Sequence, residues 1–535
     1  MKPYPPKQRE RSGTLWVVWL VSLILASSSA GSATNDECLS CHQEVTPGIT
    51  KEWALSRHYA AGVDCLGCHG TELGPEKGGF AHHGQQISVI VSPLVCKTCH
   101  QREYEEFSLS AHSRAYDCAS FGPCAANKSG QTTISCGKLA IGYLQGGFGR
   151  SSTSPSFGLT KDAGANAAGI AACWQCHGSE VKLEDGRPRS DTWPNAGVGR
   201  INPDGSRGNC SACHQRHTFS LAEARRPELC GVCHNEGGGE PQLEIYNSSR
   251  HGALFYLNLD KMNLGSPRWI AGEDYSAAPT CATCHMSAAR GMPTTHNVDE
   301  RILQREASMG EEIFTKLEIA RQLTCRCGPA FCTDCKTTEG DWAEGYDCKI
   351  STYPGSEPQK QHMSGVCQSC HSSLLTTRFF AQYAEVVELV MTQWVEPGRR
   401  LHQLASAVLE AARGHQYVAN VNPVTDAWSN LCNHGAKYPI YGASMMSPGF
   451  TESGLGAIGS DWRDGFVPAV AAVIDEHLCS DKPEVRSRAE RLKKEFCDVL
   501  SDPSYGSGLR REHSAETEPD PSFCNNFLSG HQCPS

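Results

Sequence analysis

The chain has 535 residues, with 58 acidic against 48 basic side chains and a net charge of −10. That balance disfavours a nucleic-acid partner and suits a cationic redox partner. With 29 Cys and 22 His, the cysteine pattern carries more information than the apolar content.

At the N-terminus, Lys7, Arg9 and Arg11 precede an apolar run from Leu15 to Ala26. Small residues follow, with Gly31-Ser32-Ala33 as a candidate cleavage site, so residues 1–33 have the form of a secretory signal peptide. The run is short for a membrane span, and an uncleaved anchor is the alternative reading. No Cys follows the site, so a lipid anchor is not indicated. Removal of this segment takes four positive charges and one negative, leaving about −13. No later apolar stretch approaches twenty residues, so no membrane span is expected in the mature chain.

The motif Cys-x-x-Cys-His then occurs eight times. The first three copies are close together: Cys38/Cys41/His42, Cys65/Cys68/His69 and Cys96/Cys99/His100. A Gly/Ser/Ala-rich stretch, about 118–172, precedes a second group. That group is Cys173/Cys176/His177, Cys210/Cys213/His214, Cys230/Cys233/His234 and Cys281/Cys284/His285. A Cys-rich insertion, about 324–350, separates these from Cys367/Cys370/His371. Chance would supply roughly 0.06 such motifs at this composition. Zinc knuckles and disulfides do not demand a His after every second Cys. Each copy therefore reads as a haem c attachment site: two thiols bond the porphyrin, and the next His ligates iron. Eight covalent haems are expected, and with them export to the periplasm, where such attachment takes place. The porphyrins supply apolar surface to a segment too rich in Gly, Pro and polar residues to build its own core.

After His371 the pattern turns helical. Thr377–Val395 and Leu401–Arg413 have helical periodicity on either side of a break at Pro397-Gly398, and Val467–Leu478 and Pro483–Leu500 read as two more helices. The last has a strongly charged outer face. The fold expected is mainly α. It comprises a haem-packed domain at 34–375 with few strands, a bundle of long helices at 376–503, and a polar tail at 504–535. Thirteen Cys lie outside the motifs and default to disulfides in an oxidising compartment. Cys524 and Cys533 are candidates to pin the tail. The insertion's Cys-x-Cys-x4-Cys-x2-Cys is read as disulfide-forming, with a metal site as the alternative.

Eight further His lie in the haem-bearing region: His58, His82, His83, His112, His217, His251, His296 and His362. His82 and His83 are adjacent, so one of the two is expected to ligate. Seven distal ligands for eight haems leave one iron with an open position, where substrate can bind. Surface placement of individual His is the bland alternative.

The fourth motif reads Cys173-Trp174-Gln175-Cys176-His177. The run Thr192-Trp193-Pro194-Asn195, Gly199-Arg200-Ile201-Asn202-Pro203-Asp204-Gly205 and Cys210-Ser211-Ala212-Cys213-His214-Gln215-Arg216-His217 resembles the octahaem hydroxylamine oxidoreductase family. So do Glu223-Ala224-Arg225, Ser249-Arg250-His251-Gly252, Pro279 to Ser287, and Thr295-His296-Asn297-Val298. The resemblance covers roughly residues 36–305 strongly and 360–460 weakly. Cys-Trp-x-Cys also resembles the catalytic motif of pentahaem nitrite reductases, which carry Lys in place of His. The resemblance implies a homotrimer with a catalytic fourth haem at His177, seven conducting haems, and chemistry on hydroxylamine, nitrite or related species.

Two departures stand out. Where the family has Asp-His-Pro-Gln, with the Asp-His pair in the catalytic pocket, this chain has Gly239-Glu240-Pro241-Gln242. The pocket imidazole is thus replaced by the carboxylate of Glu240. Where oxidative members carry a Tyr cross-linked to the catalytic haem, this chain has Ser447-Pro448-Gly449-Phe450, with Tyr438 and Tyr441 nearby as substitutes. The reading is an octahaem oxidoreductase of small nitrogen species using a cytochrome c-like redox partner. The alternative is a catalytically decayed electron-transfer cytochrome or partner subunit. A sulfur-oxyanion reductase fits the haem count but not the linkers.

Overall fold

The computed structural model describes residues 35–116, 174–236, 241–301, 332–337, 346–350, 356–413, 423–502 and 523–528. Cys173, Gly239 and Glu240 lie outside these residues, as do Cys325, Cys327, Cys533 and the N-terminal apolar run.

The first half is built from short helices and tight turns. Helix α1 (Asn35–Val45) carries the first motif, followed by α2 (Pro47–Ala54). Strands β1 (Phe80–His82) and β2 (Gln85–Ile87) form a hairpin closed by His83 and Gly84, both at positive φ, 45° and 78°. Positive φ at both central residues is what a two-residue hairpin turn requires, and it leaves His82 at the end of a strand. Helix α3 (Gln101–Leu109) follows the third motif, and α4 (Trp174–His177) is the fourth. A small hairpin, β3 (Leu183–Glu184) with β4 (Arg187–Pro188), precedes α5 (Gln242–Ser248) and α6 (Arg250–Leu257). The insertion contributes a third hairpin, β5 (Cys332–Thr337) with β6 (Tyr346–Ile350), in which Cys335 lies opposite Cys348. Helix α7 (Ser356–Gln368) leads into the eighth motif.

No residue of α1, α2 or α3 is buried. Large apolar side chains around the motifs, among them Val45, Ile49, Leu109, Val232, Leu374 and Leu375, are exposed to solvent by the protein alone. An ordinary amphipathic helix buries one apolar stripe on neighbouring helices. Helices that bury nothing on protein fit a region whose packing partner is porphyrin.

The second half is a conventional bundle: α8 (Ser373–Val390), α9 (Glu396–Arg413), α10 (Pro423–Ser429), α11 (Lys437–Ser444), α12 (Pro448–Ser460), α13 (Val467–His477) and α14 (Pro483–Ser501). Its core holds Val390, Leu401, Leu431, Ile458, Trp462, Phe466, Ile474, Leu492 and Phe496, all essentially inaccessible. Each such side chain contributes about 1.5–3 kcal/mol by leaving water. On α14 the apolar positions Val485, Ala489, Leu492, Phe496 and Val499 recur at helical spacing and are buried, while Glu484, Arg486, Arg488 and Glu490 face water.

The break expected at Pro397-Gly398 is not there. A π-helical turn, Met391–Val395, joins α8 to α9, and Pro397 sits in the first turn of α9. Proline is tolerated there because its missing N–H needs no helical partner. Gly398 is required by packing, since a Cβ would stand 2.7 Å from the Trp428 ring. Helices α10 to α12 escape the sequence reading because they are short and rich in Gly, Pro and Ser.

Cys497 of α14 is disulfide-bonded to Cys524, so the tail is fastened to the bundle, and Cys479 is also disulfide-bonded. Bundle and haem-bearing half meet at α5, which touches α11 and α12. Ser248 and Ser447 share a hydrogen bond of 2.7 Å across that junction. No described helix is long and apolar enough to cross a membrane.

Candidate functional site

Six motif histidines face a second histidine ring. The pairs are His42 with His82 at 6.3 Å between ring centres, His100 with His58 at 6.1 Å, and His69 with His217 at 6.4 Å. The others are His234 with His112 at 6.1 Å, His214 with His296 at 6.3 Å, and His371 with His251 at 6.2 Å. Two imidazoles bound to opposite sides of one metal, each at about 2 Å, have ring centres on the order of 6 Å apart. The spacing recurs across six pairs drawn from unrelated parts of the chain, and it is the spacing that a metal shared by each pair would set.

Local structure explains how the distal rings are held. His58, His112 and His251 each stand two residues after a buried Ser: Ser56, Ser110 and Ser249. Each Ser caps a short helix, its Oγ accepting from Tyr59 N at 3.1 Å, His112 N at 3.3 Å and Gly252 N at 3.1 Å. The cap satisfies an otherwise orphaned helix donor and fixes the turn that projects the imidazole. Ser-x-His is a signal available in the sequence that reading for Cys-x-x-Cys-His alone misses.

The second ring nitrogen is tied in several histidines. His69 Nδ1 meets Ser88 O at 2.9 Å, His177 Nδ1 meets Ala115 O at 3.0 Å, and His362 Nδ1 meets Glu300 O at 3.1 Å. His42 Nδ1 meets Thr46 Oγ1 at 2.8 Å. An Nδ1–H donated to a carbonyl leaves Nε2 as the lone-pair donor a metal needs. Burial, reinforced by neighbouring imidazoles, pushes His112, His214 and His285 down to about 4. These rings are therefore neutral, the form that ligates.

Of the adjacent pair, His82 is the ring opposite His42; His83 is exposed at the hairpin tip, 4.6 Å from the His82 ring. His177 and His285 have no opposing histidine ring at this spacing among the described residues. His362 lies on α7, which packs against the short helix Cys281–His285.

The motif cysteines interlock. Cys65 lies beside Cys38, Cys96 beside Cys210, Cys233 beside Cys176, and Cys281 beside Cys230. Cys68 lies beside Cys96, Cys213 beside Cys230, and Cys284 beside Cys367. The spatial order of motifs is therefore 1–2–3–5–6–7–8, with the fourth branching from the sixth. Sequence order gives no hint that the fourth stands to the side.

Cys41 and Cys99, both expected as attachment cysteines, differ from the rest of this network. The chain leaves them exposed, as it does Cys370, whereas the other described motif cysteines are partly buried. Cys41 sits on α1, a helix with no buried residue, and Cys99 meets only the Thr98 hydroxyl at 3.9 Å and the edge of Cys68. Protein packing therefore does not enclose these two thiols. Val45 and Leu109 are left open nearby in the same way, and a porphyrin held at these motifs would cover such surface.

The fourth motif rests on a glycine cradle. A Cβ at Gly197 would collide with Gly178 N and Trp174 O, and one at Gly199 with Tyr116 N, Ala115 N and His177 O. Asn195 Nδ2 donates to Ser179 O at 3.0 Å and to Ser179 Oγ at 2.8 Å. Arg200, only 3 % exposed, donates to Asn202 Oδ1 at 2.8 Å, to Val91 O at 3.0 Å and to Asn195 O at 3.3 Å. Burial, then the nearby Arg216, lowers Arg200 to about 10, so it keeps its charge at neutral pH. The Thr192–Gly205 run is thus a buried polar scaffold that sets the backbone around His177.

Phe450 of α12 stacks on Tyr438, with ring centres 6.3 Å apart and planes 14° from parallel; Tyr441 is buried in the bundle core.

The comparisons agree with this arrangement. The model for seven-times multihaem cytochrome CxxCH matches residues 202–346, and that for cytochrome c554 and c-prime matches 95–138. The probable nitrite reductase-hydroxylamine oxidoreductase fusion protein of Kuenenia stuttgartiensis is 27% identical over 276 residues, 47% of this chain and 25% of the relative. This match thus spans a quarter of that relative's length. Among solved structures, a hypothetical multiheme protein superposes with a TM-score of 0.55 at 23% identity, over 81% of this chain and 96% of that one. A reducing HAO-like protein complex of Kuenenia stuttgartiensis gives 0.51 at 17% identity, over 86% and 85%. Paired histidines, interlocked Cys-x-x-Cys-His motifs and these likenesses define a multihaem c-type cytochrome that binds its haem covalently. Within that class, the chain is similar to hydroxylamine oxidoreductase-like multihaem proteins over the matched segments.

Proposed function

We propose that the chain is a periplasmic octahaem oxidoreductase that interconverts small nitrogen species, hydroxylamine, nitrite or nitric oxide, at the fourth motif. The observation that carries this is the contrast between six His–His pairs at 6.1–6.4 Å and His177, which has no such partner among the described residues. His362, with its Nδ1 tied and its helix against the seventh motif, is assigned as the distal ligand there, and His83 is left over. Seven paired sites and one open site result. The exposed Cys41 and Cys99 are assigned as haem thioethers alongside the partly buried motif cysteines. A haem held by Cys173, Cys176 and His177 would supply one-electron redox iron to which a small substrate could bind.

The chain's own residues do the positioning. The Ala115 carbonyl orients His177, and Gly178, Gly197 and Gly199 let the scaffold close behind it. Cys176 against Cys233 makes the sixth motif the first step of the route to the other seven. Glu240, just before the buried Pro241, is assigned to the pocket. There its carboxylate attracts hydroxylammonium and repels nitrite, an effect that strengthens as water is excluded. Phe450 has no phenol oxygen for a haem cross-link, which favours reductive chemistry. Residues 1–33 serve as the signal peptide, a cytochrome c-like protein is the redox partner, and the homotrimer follows from the family resemblance.

Denaturing mass spectrometry should find eight haems on the mature chain. Ferric EPR should show one high-spin haem that responds to hydroxylamine. Only low-spin signals would favour the electron-transfer reading instead.

A further inference from the structure

We infer that Glu106 lowers the reduction potential of the fifth haem site by standing behind its distal histidine, His296; this rests on reading His214 and His296 as an axial pair. The Glu106 carboxylate, on α3, accepts the backbone N–H of His296 at 2.9 Å and lies 3.6 Å from His296 Nδ1. The second contact is electrostatic rather than a hydrogen bond. Arg102, one turn earlier, holds the carboxylate through Nε at 3.2 Å and donates to Thr294 O at 3.0 Å. Arg102 and Glu106 together clamp the Thr294–His296 segment.

This differs in kind from what stands behind other rings. His69, His177 and His362 present Nδ1 to neutral backbone carbonyls. His217 has Glu52 at 4.0 Å, but that carboxylate is 49% exposed and more screened. A carboxylate 3.6 Å from Nδ1 places negative charge beside the ring without a hydrogen bond, and that charge would stabilise ferric over ferrous iron. Arg102 at 3.2 Å offsets part of that charge, so the effect is the carboxylate's remainder and grows when Arg102 is removed. The position matters because the fifth motif joins the two groups: Cys210 lies beside Cys96 of the third motif, and Cys213 lies beside Cys230 of the sixth. A lowered potential there sets an uphill step between the first three sites and the branch that holds His177. Glu106 is a positioning and tuning residue, not a catalytic one.

The test is a potentiometric titration of the full haem-loaded protein, followed by EPR and visible absorption. Glu106→Gln keeps an acceptor for His296 N–H and removes the charge. One low-spin component should rise by at least tenfold in its reduction equilibrium, about 59 mV for one electron, with altered g-values. Arg102→Gln should move the same component down, and it keeps the test open if the first variant matures poorly. Glu105→Gln, a neighbour hydrogen-bonded by Gln101, controls for net charge and should leave that component in place. No shift in Glu106→Gln, or an equal shift in Glu105→Gln, overturns the inference. His296→Ala separates the two layers: if it creates no new high-spin haem, the axial pairing itself fails. If it does and Glu106→Gln shifts nothing, only the tuning fails.

Discussion

Replacing His112 with Ala tests the pairing at its most connected point. His112 lies 6.1 Å from His234, and the sixth motif touches the fourth, fifth and seventh. The backbone at His112 does not depend on its imidazole. Ser110 caps the turn, and Asp299 Oδ2 accepts Ala111 N at 3.0 Å. The ring is buried and held neutral, its titration pushed down to about 4 by burial and then by His234 and His285. Its removal leaves a space that solvent can enter and one iron without its distal ligand. With eight motifs and one open site in the parent, high-spin ferric haem should double from one equivalent per chain to two, and low-spin haem should fall from seven to six. Spin-quantified EPR reads both numbers, and mass spectrometry confirms that haem content is unchanged. Electrons delivered to the first three sites should then reach the fourth at least tenfold more slowly by stopped-flow absorption, because among the described residues the fourth motif touches the sixth. Unchanged spin populations in a fully loaded variant would refute the pairing, and with it the inference drawn from ring spacing.

Gly197→Ala should disturb the fourth site alone, since a Cβ there collides with Gly178 N and Trp174 O; loss or broadening of the high-spin signal with the low-spin signals retained is the expected EPR result. His402, half-buried in the bundle 3.2 Å from Thr425 Oγ1 and stacked on Trp428, is lowered by desolvation from 6.5 to about 4. The unfolded chain therefore takes up this proton first, so the stabilisation is complete above pH 6.5 and is lost as pH falls towards 4. The loss approaches about 3 kcal/mol. Denaturation followed by circular dichroism at pH 7.5 and 4.5 should show a smaller pH difference in His402→Phe, and an identical difference would refute the assignment.

Primary structure alone dictates the chemistry. Cys-x-x-Cys-His is a covalent requirement satisfied within five residues, so eight candidate motifs are legible without any knowledge of the fold. The long amphipathic helices of the bundle were legible for a similar reason: their buried positions recur at 3.6-residue spacing along one segment. Helix continuity through Pro397 was not, because it depends on a π turn before it and on Trp428 and Trp462 closing over Gly398. The count of spare histidines was available, but not their partners. His69 meets His217, and His251 meets His371, across more than a hundred residues, and no local pattern encodes a match made through a shared metal. Nor does the motif say which of its thiols the chain encloses: Cys41 and Cys99 stay exposed while Cys38 and Cys96 touch neighbouring motifs. The choice of His82 over His83 came from the hairpin register, which puts one ring opposite His42 and the other at the tip. The offset position of the fourth motif beside the sixth likewise arises only in three dimensions, where Cys176 meets Cys233 and the glycine cradle lets the backbone approach that closely.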